Sequence, residues 1–543
     1  MIRLDLADIQ GNIHRPYGRF GFPHSRHFFF NITDALAGRR FVQGVRPRIT
    51  TAEPWTKAEA ADGSAIVVKP PITLNIGFTF HGLYALGLPT RTLRLLPDEF
   101  IDGMGCRSEI LGDIGGSSPD HWDRIWDYRP GGKAPTVHVW VSFSVGANPD
   151  GTQLPVLSEW TAWLEGLVAA SAGGVTLLAG HGADGSGKWQ DSAALMAPGP
   201  GGAMVPQPTE HFGFTDGISD PVFRGQFDNP AAEALAVIGG GKIAAGRYDQ
   251  KTSWSALETG EFILGQVDEG QEFPVVTEPT GFARNGTFMA YRKLRQDVEA
   301  FDQEIERQAT LWKQHFGITS DLEARETICA KMVGRWRSGI PLCVAPTWVE
   351  YQQMMKDWGD CFELSLRKPR DSKEQQRLAD FTLMLTGFRY GDDLDGSKCP
   401  LGAHIRRGNP RDMLDPLLSK TEGASTLTNR RRILRRGLPY VDPDGSKGVI
   451  FMAICSSLFR QFEFIQQQWM NYGLDFEAGN DTCPLIGSRA QSTKHVIPGS
   501  AANPSTFIAG HLPEFVTTRG GDYFFLPSLT AIRMIAMGTV DPT

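Results

Sequence analysis

What the chain has little of narrows the field first. Its seven cysteines, at 106, 329, 343, 361, 399, 455 and 483, form no Cys-x-x-Cys pair and are odd in number. That argues against a disulfide framework or a zinc ribbon. No stretch approaches the roughly 18 consecutive apolar residues of a membrane span. The N-terminal MIRLDLADIQGN carries Asp5 and Asp8 and lacks the apolar core and small-residue cleavage site of a secretory signal. The expectation is a cytoplasmic, reduced compartment and no membrane partner. An excess of one charge is lacking too, since 54 Lys and Arg against 61 Asp and Glu leave a net charge of −7. Such mild acidity gives no reason to expect a nucleic acid. No fixed-period repeat is present, which excludes a solenoid. What remains is an ordinary globular composition, 41% hydrophobic and 21% charged over 543 residues, enough for a large core and more than one domain.

Alternation and spacing place the elements. Arg26–Ile32, Ile72–His81 and Thr136–Val145 read as strands. In the last, Val137, Val139, Val141 and Phe143 share one face while His138, Trp140 and Ser142 share the other. Leu83–Leu88 reads as a short helix stopped by Pro89. Residues 173–202 read as loop and 229–261 as an irregular insertion. After a strand beginning at Phe288, Val298, Phe301, Ile305, Ala309 and Trp312 lie three or four apart and give a long helix its apolar stripe. A second helix follows over Asp321–Trp336. A third runs through Cys455, Leu458, Phe459, Phe462, Ile465 and Trp469, its stripe taken as core packing. The chain closes on the strand Asp522–Leu526. These series give an α+β protein of two halves, 1–279 and 280–543.

Three stretches carry residues suited to chemistry. In CPLGAHIRRGNPRD, Cys399 to Asp412, a histidine follows a small apolar step and precedes Arg406, Arg407 and Arg411. Imidazole ligates and guanidinium pairs with carboxylate, which suits a flat anionic cofactor. A structural histidine beside a solvated basic turn has the same sequence. In EHFGFTDGISDP, Asp216 stands beside Phe212 and Phe214. Apolar surroundings disfavour the charged acid and would poise it for proton relay, whereas a turn aspartate would bond its own backbone. In NRRRILRRGLPY, Arg430, Arg431, Arg432, Arg435 and Arg436 either are solvated and ion-paired or, if Ile433 and Leu434 are buried, draw Arg435 inward.

Together these three stretches resemble the dye-decolourising peroxidases, a haem peroxidase family. The likeness extends to DIQGNIHRPYG, NIGFTFHGLYALGLP, FILGQVDE, KMVGRWRSGIPL, FRQFEFIQQQWMN and RGGDYFFLP, and is closest to the family's longer members. The resemblance implies two ferredoxin-like halves, with haem b (iron protoporphyrin IX) mainly in the C-terminal one. His404 would be the iron ligand, and Asp216 and Arg435 the distal acid–base residue and distal arginine. Arg406 would pair with a haem propionate, and Val449 and Phe451 would cover the distal face. It implies reduction of hydrogen peroxide coupled to one-electron oxidation of dyes, phenols or other small aromatic reductants. A haem-binding, iron-releasing protein using the same pocket is the alternative. Trp336, Trp348, Trp358, Tyr390 and Tyr440 are candidate electron relays, with packing as the expected role of each. The chain departs from the family pattern at Asp220-Pro221, where Gln-Pro is usual, and at Val441, where glycine is frequent. Cys483 stands where an aspartate commonly backs the iron-ligating histidine; Asp481 lies close enough in sequence to take that place.

Overall fold

The computed structural model describes residues 4–59, 65–127, 136–244, 253–274, 276–366, 371–415, 424–488, 493–500 and 503–540. The β-branched and aromatic runs form one sheet. In chain order its strands are β1 (His24–Ile32), β2 (Ile72–Phe78), β3 (Val139–Val145), β4 (Val175–Leu177), β5 (Gln190–Ala193), β6 (Thr287–Gln296), β7 (Leu434–Val441), β8 (Lys447–Cys455) and β9 (Val516–Leu526). The spatial order is β7-β8-β6-β9-β2-β3-β1-β4, with β5 also on β1, and each pairing is antiparallel. Strands from the two ends of the chain thus form two contiguous blocks. They join where Phe78 of β2 pairs with Phe525 of β9. The fold is α+β, built from two ferredoxin-like halves.

In the N-terminal block both sheet faces are filled. Phe28, Phe30 and Phe143 share a face covered by helices Ala35–Val45 and Val156–Ala170, through Phe41 on Phe30 at 4.9 Å and Trp160 on Phe143 at 5.7 Å between ring centroids. On the other face Trp140 stacks on His27 and Phe29 meets Trp126, Tyr291 and Phe524. Trp140 and Ser142, on the face opposite the valines, are therefore as buried as the valines.

In the C-terminal half, Asp297 caps the helix Val298–Phe316 by accepting the Ala300 N–H, and left-handed Gly317 ends it. Phe301, Ile305, Ala309 and Trp312 are buried as their spacing requires. The next helix, Asp321–Val333, stops at Gly334, whose φ of 100° suits glycine alone, so it ends before Trp336. Three segments differ from their sequence reading. Residues 173–202 contain short strands, because β4 and β5 complete the edge beside β1. The insertion 229–261 contains the helix Pro230–Gly240, started by the Asn229 side chain. Leu458–Met470 winds in wider π-type turns rather than one α-helix, so Leu458, Phe462, Ile465 and Trp469 are buried while Phe459 is exposed; Cys455 belongs to β8.

Candidate active site

One sheet face of the C-terminal half floors a cavity of about 330 Å³. The register explains which side chains reach it. Arg435 of β7 is opposite Ala453 of β8, two and four residues beyond Phe451 and Val449, so all three project from one face. On β6, Leu294 pairs with Val449 and Arg292 with Phe451, and Thr518 of β9 pairs with Leu294. All of these residues except Ala453 line the cavity. Val333, Ile405, Phe462, Ile465, Met470 and Leu485 supply further apolar walls.

His404 enters from a loop fixed by Asp393. That carboxylate accepts the N–H groups of Lys398 and Cys399, each at 2.9 Å, and Arg406 Nη1 at 2.9 Å. His404 then opens the short helix His404–Gly408, and His404, Ile405 and Gly408 face the cavity. Its Nδ1 lies 3.3 Å from Cys483 Sγ, leaving Nε2 as the nitrogen for ligation. Burial alone would raise the Cys483 thiol. The adjoining His404 imidazole, the Arg407 guanidinium and the Ile486 N–H outweigh burial and bring it down to about 7. Asp481 does not take this place, for its carboxylate pairs with Lys494 at 2.9 Å.

Arg406 corrects the sequence reading. It is fully buried and does not line the cavity. Besides Asp393 it bonds Cys399 O at 2.7 Å and Asp393 O at 2.6 Å, and it lies over the Tyr390 ring at 4.5 Å. Residues two apart on a helical turn face opposite ways, so a histidine aimed at the cavity sends Arg406 behind the loop. Arg411 is the arginine of this stretch that reaches the cavity. It bonds Thr386 O at 2.7 Å, Phe388 O at 2.5 Å and Ser219 Oγ at 3.4 Å.

Asp216 and Arg435 meet at 2.7 Å on the cavity wall. The pair holds the Arg435 guanidinium above its ordinary value, chiefly through the Asp216 charge. Asp216 is not wrapped in aromatics as its neighbours suggested. Phe212 and Phe214 pack into a second core, Phe212 stacking on Phe301 at 4.4 Å, while still bordering the cavity, and the Asp216 side chain is half-exposed. Glu210 fastens their loop by accepting the N–H of Phe212 at 2.8 Å and of Phe214 at 3.0 Å. Burial pushes this carboxyl up. Sequence reasoning missed Glu210, and its place in the same block as Asp216 was the available signal. Asp220 explains another departure, since it takes the Arg436 guanidinium at 2.9 Å and the Arg435 N–H at 3.4 Å.

The donor set fits a haem. Arg335, Arg411 and Arg432 line the cavity, and each hydrogen-bonds backbone carbonyls, with the Ser219 hydroxyl added for Arg411. Among the described residues no carboxylate bonds any of the three. Burial, then mutual repulsion with Arg411, lowers Arg335 to about 10 and Arg432 to about 9. Such uncompensated positive charge calls for an anionic ligand, which the two carboxylates of a porphyrin supply. Of the aromatic relay candidates, Trp336, Tyr390 and Tyr440 are buried, and among them Tyr390 lines the cavity.

Comparison with known proteins places this geometry. Residues 8–136 match the family model described as the DyP dimeric alpha+beta barrel domain. The chain is 26% identical to "Peroxidase 2" of Mycetinis scorodonius over 98% of this chain and 88% of that protein. It is 28% identical to the "Multifunctional dye peroxidase DyP2" of an Amycolatopsis strain over 60% of this chain and 61% of that one. The solved fungal DyP-type peroxidase from Auricularia auricula-judae superposes with a TM-score of 0.68 at 22% identity, covering 99% of this chain and 100% of that chain. A dye-decolorizing peroxidase in complex with 2,6-dimethoxyphenol gives 0.64 at 23% identity over 98% and 100%. The fold, the relatives matched over nearly the whole chain and the N-terminal family model thus agree in a likeness to dye-decolourising peroxidases.

Proposed function

We propose that this protein reduces hydrogen peroxide and oxidises dyes, phenols or other aromatic reductants in one-electron steps, using haem b bound through His404 in the cavity. The observation that carries the reading is the presence in one cavity of an imidazole with a free ligating nitrogen and a carboxylate–guanidinium pair. Haem iron, when bound, supplies the redox chemistry of O–O cleavage. His404 Nε2 would hold the metal. Arg335, Arg411 and Arg432 neutralise the porphyrin carboxylates, a role the sequence reading gave to Arg406. Asp216 would accept a proton from peroxide and return it to the departing oxygen, acting as base and then acid. Arg435, permanently cationic and already directed at Asp216, stabilises the negative charge that develops as the O–O bond breaks. Val449 and Phe451 keep water from the reacting oxygens.

We further propose that the chain divides near 279, so that the Asp216 loop of one half completes a site whose ligand and arginine come from the other. Two variants test the reading. D216N and R435L in haem-loaded protein should each slow peroxide cleavage while preserving haem binding. Unchanged cleavage in both would refute the mechanism and favour a haem-binding, iron-releasing role.

A further inference from the structure

Behind the histidine stands a sulfur. Resting on the reading above, we propose that Cys483 is the positioning residue of His404: its Sγ accepts the Nδ1–H, presents Nε2 to the metal, and makes His404 a weaker electron donor than a histidine backed by a carboxylate. Three features fix the pair. Cys483 is fully buried beside Trp469, Phe476 and Leu485 in the second core. Its backbone is tied at both ends, the N–H donating to Met470 O at 2.7 Å and the carbonyl accepting the Gly487 N–H at 3.0 Å, which fixes the point from which the thiol projects toward His404. A Cβ at Gly487 would lie 2.6 Å from Cys483 N, which keeps that turn tight.

Arg407 locks the two segments together. Its buried guanidinium reaches Gly402 O at 3.1 Å, just before His404, and Asp481 O at 2.9 Å, just before Cys483, as well as Trp469 O at 2.9 Å. The carboxylate of Asp481 is turned outward to Lys494. The sulfur is therefore the acceptor that the chain's geometry gives to Nδ1. A carboxylate on that proton confers imidazolate character and strengthens donation to the metal, stabilising its oxidised state. A neutral thiol acceptor does so less, and with the thiol protonated the ferric form should be correspondingly easier to reduce.

The test uses full-length haem-loaded C483D, C483A and C483S, read by ferric–ferrous equilibrium titration and by the iron–histidine stretch of the ferrous protein in resonance Raman spectra. At the wild-type midpoint, C483D is expected to raise the ferric-to-ferrous ratio above one, because a carboxylate makes the imidazole the more basic ligand. C483A should lower and broaden the stretch, and C483S should restore it. Wild-type midpoints and stretches throughout would overturn the proposal and reduce Cys483 to packing. If C483D fails to fold, the C483A and C483S pair decides through the stretch. H404A separates the two levels of the argument. Unchanged axial ligation in H404A sinks the functional reading itself, whereas lost ligation in H404A with unaltered Cys483 variants sinks this inference alone.

Discussion

The two halves of the sheet make opposite use of the same architecture. In β3, Val139 through Phe143 are buried without interruption, Phe143 against Trp160 of the helix Val156–Ala170 on one face and Trp140 against His27 and Phe524 on the other. In β8, buried residues alternate with partly exposed ones, because Val449 and Phe451 look into a cavity instead of a neighbour. The aromatic filling beside the first half of the sheet gives way beside the second to an open space lined by His404, five arginines and, from the N-terminal half of the chain, Asp216. One half is built for packing, and the other gives up packing for a ligand.

The largest expected break in that comparison is chemical. D216N should lower the rate of peroxide cleavage by about 10²- to 10⁴-fold, and R435L by about 10²- to 10³-fold, measured by stopped-flow absorbance with haem content held equal. Variants on the N-terminal sheet face should leave this rate unchanged in whatever fraction remains folded. Next comes the clamp behind His404. Replacing Asp393 in D393N leaves the buried Arg406 without its counter-ion and should cost about 3–5 kcal/mol in urea unfolding. A cost near zero would show that the His404 loop is held by something else.

A matched pair of truncations sharpens the contrast directly. W140A removes a fully buried ring from a filled face and should cost about 3–5 kcal/mol. F451A removes a ring that already borders a cavity and should cost about 1–2 kcal/mol in haem-free protein. Equal costs would mean that the two faces are packed alike.

Acid sensitivity is lopsided as well. Burial lowers His27 and His181 to about 3, and His14 and His138 to about 4, all in the N-terminal half; in the C-terminal half burial brings His495 to about 4. Each folded pKa lies below the unfolded value near 6.5. The unfolded chain therefore binds protons first as pH falls, and stability declines from about pH 6.5 toward 3. The slope is at most about 1.4 kcal/mol per pH unit for each histidine. Hydrogen exchange at pH 7 and pH 5 should show the N-terminal strands losing more protection than β7 and β8.

How much of this was readable beforehand depends on the range of the interaction concerned. The stripe Phe301, Ile305, Ala309, Trp312 and the alternation of β3 are local, and the structure repeats them. The π-type winding of Leu458–Met470 was hidden, since apolar spacing there fits an α-helix nearly as well. Arg406 shows a local signal left unused, because its two-residue offset from His404 on a turn already turned it away from the cavity. Arg335 and Arg432 carried no such signal: their place at the rim follows from tertiary contacts with carbonyls far along the chain, at Leu385 and at Gly240 and Gly241. The sulfur behind His404 was visible only as a departure from a family pattern, with Cys483 and Asp481 left undecided until the fold brought one of them to 3.3 Å.

The central claim is that His404 holds an iron porphyrin in the cavity it shares with Asp216 and Arg435. The most direct measurement is the absorption spectrum of haem-loaded wild-type protein beside that of H404A, before and after one equivalent of peroxide. The account predicts a histidine-ligated resting spectrum that peroxide shifts and a phenol restores in the wild type, with both the ligation and the shift lost in H404A. Identical spectra for the two proteins at each step would contradict it.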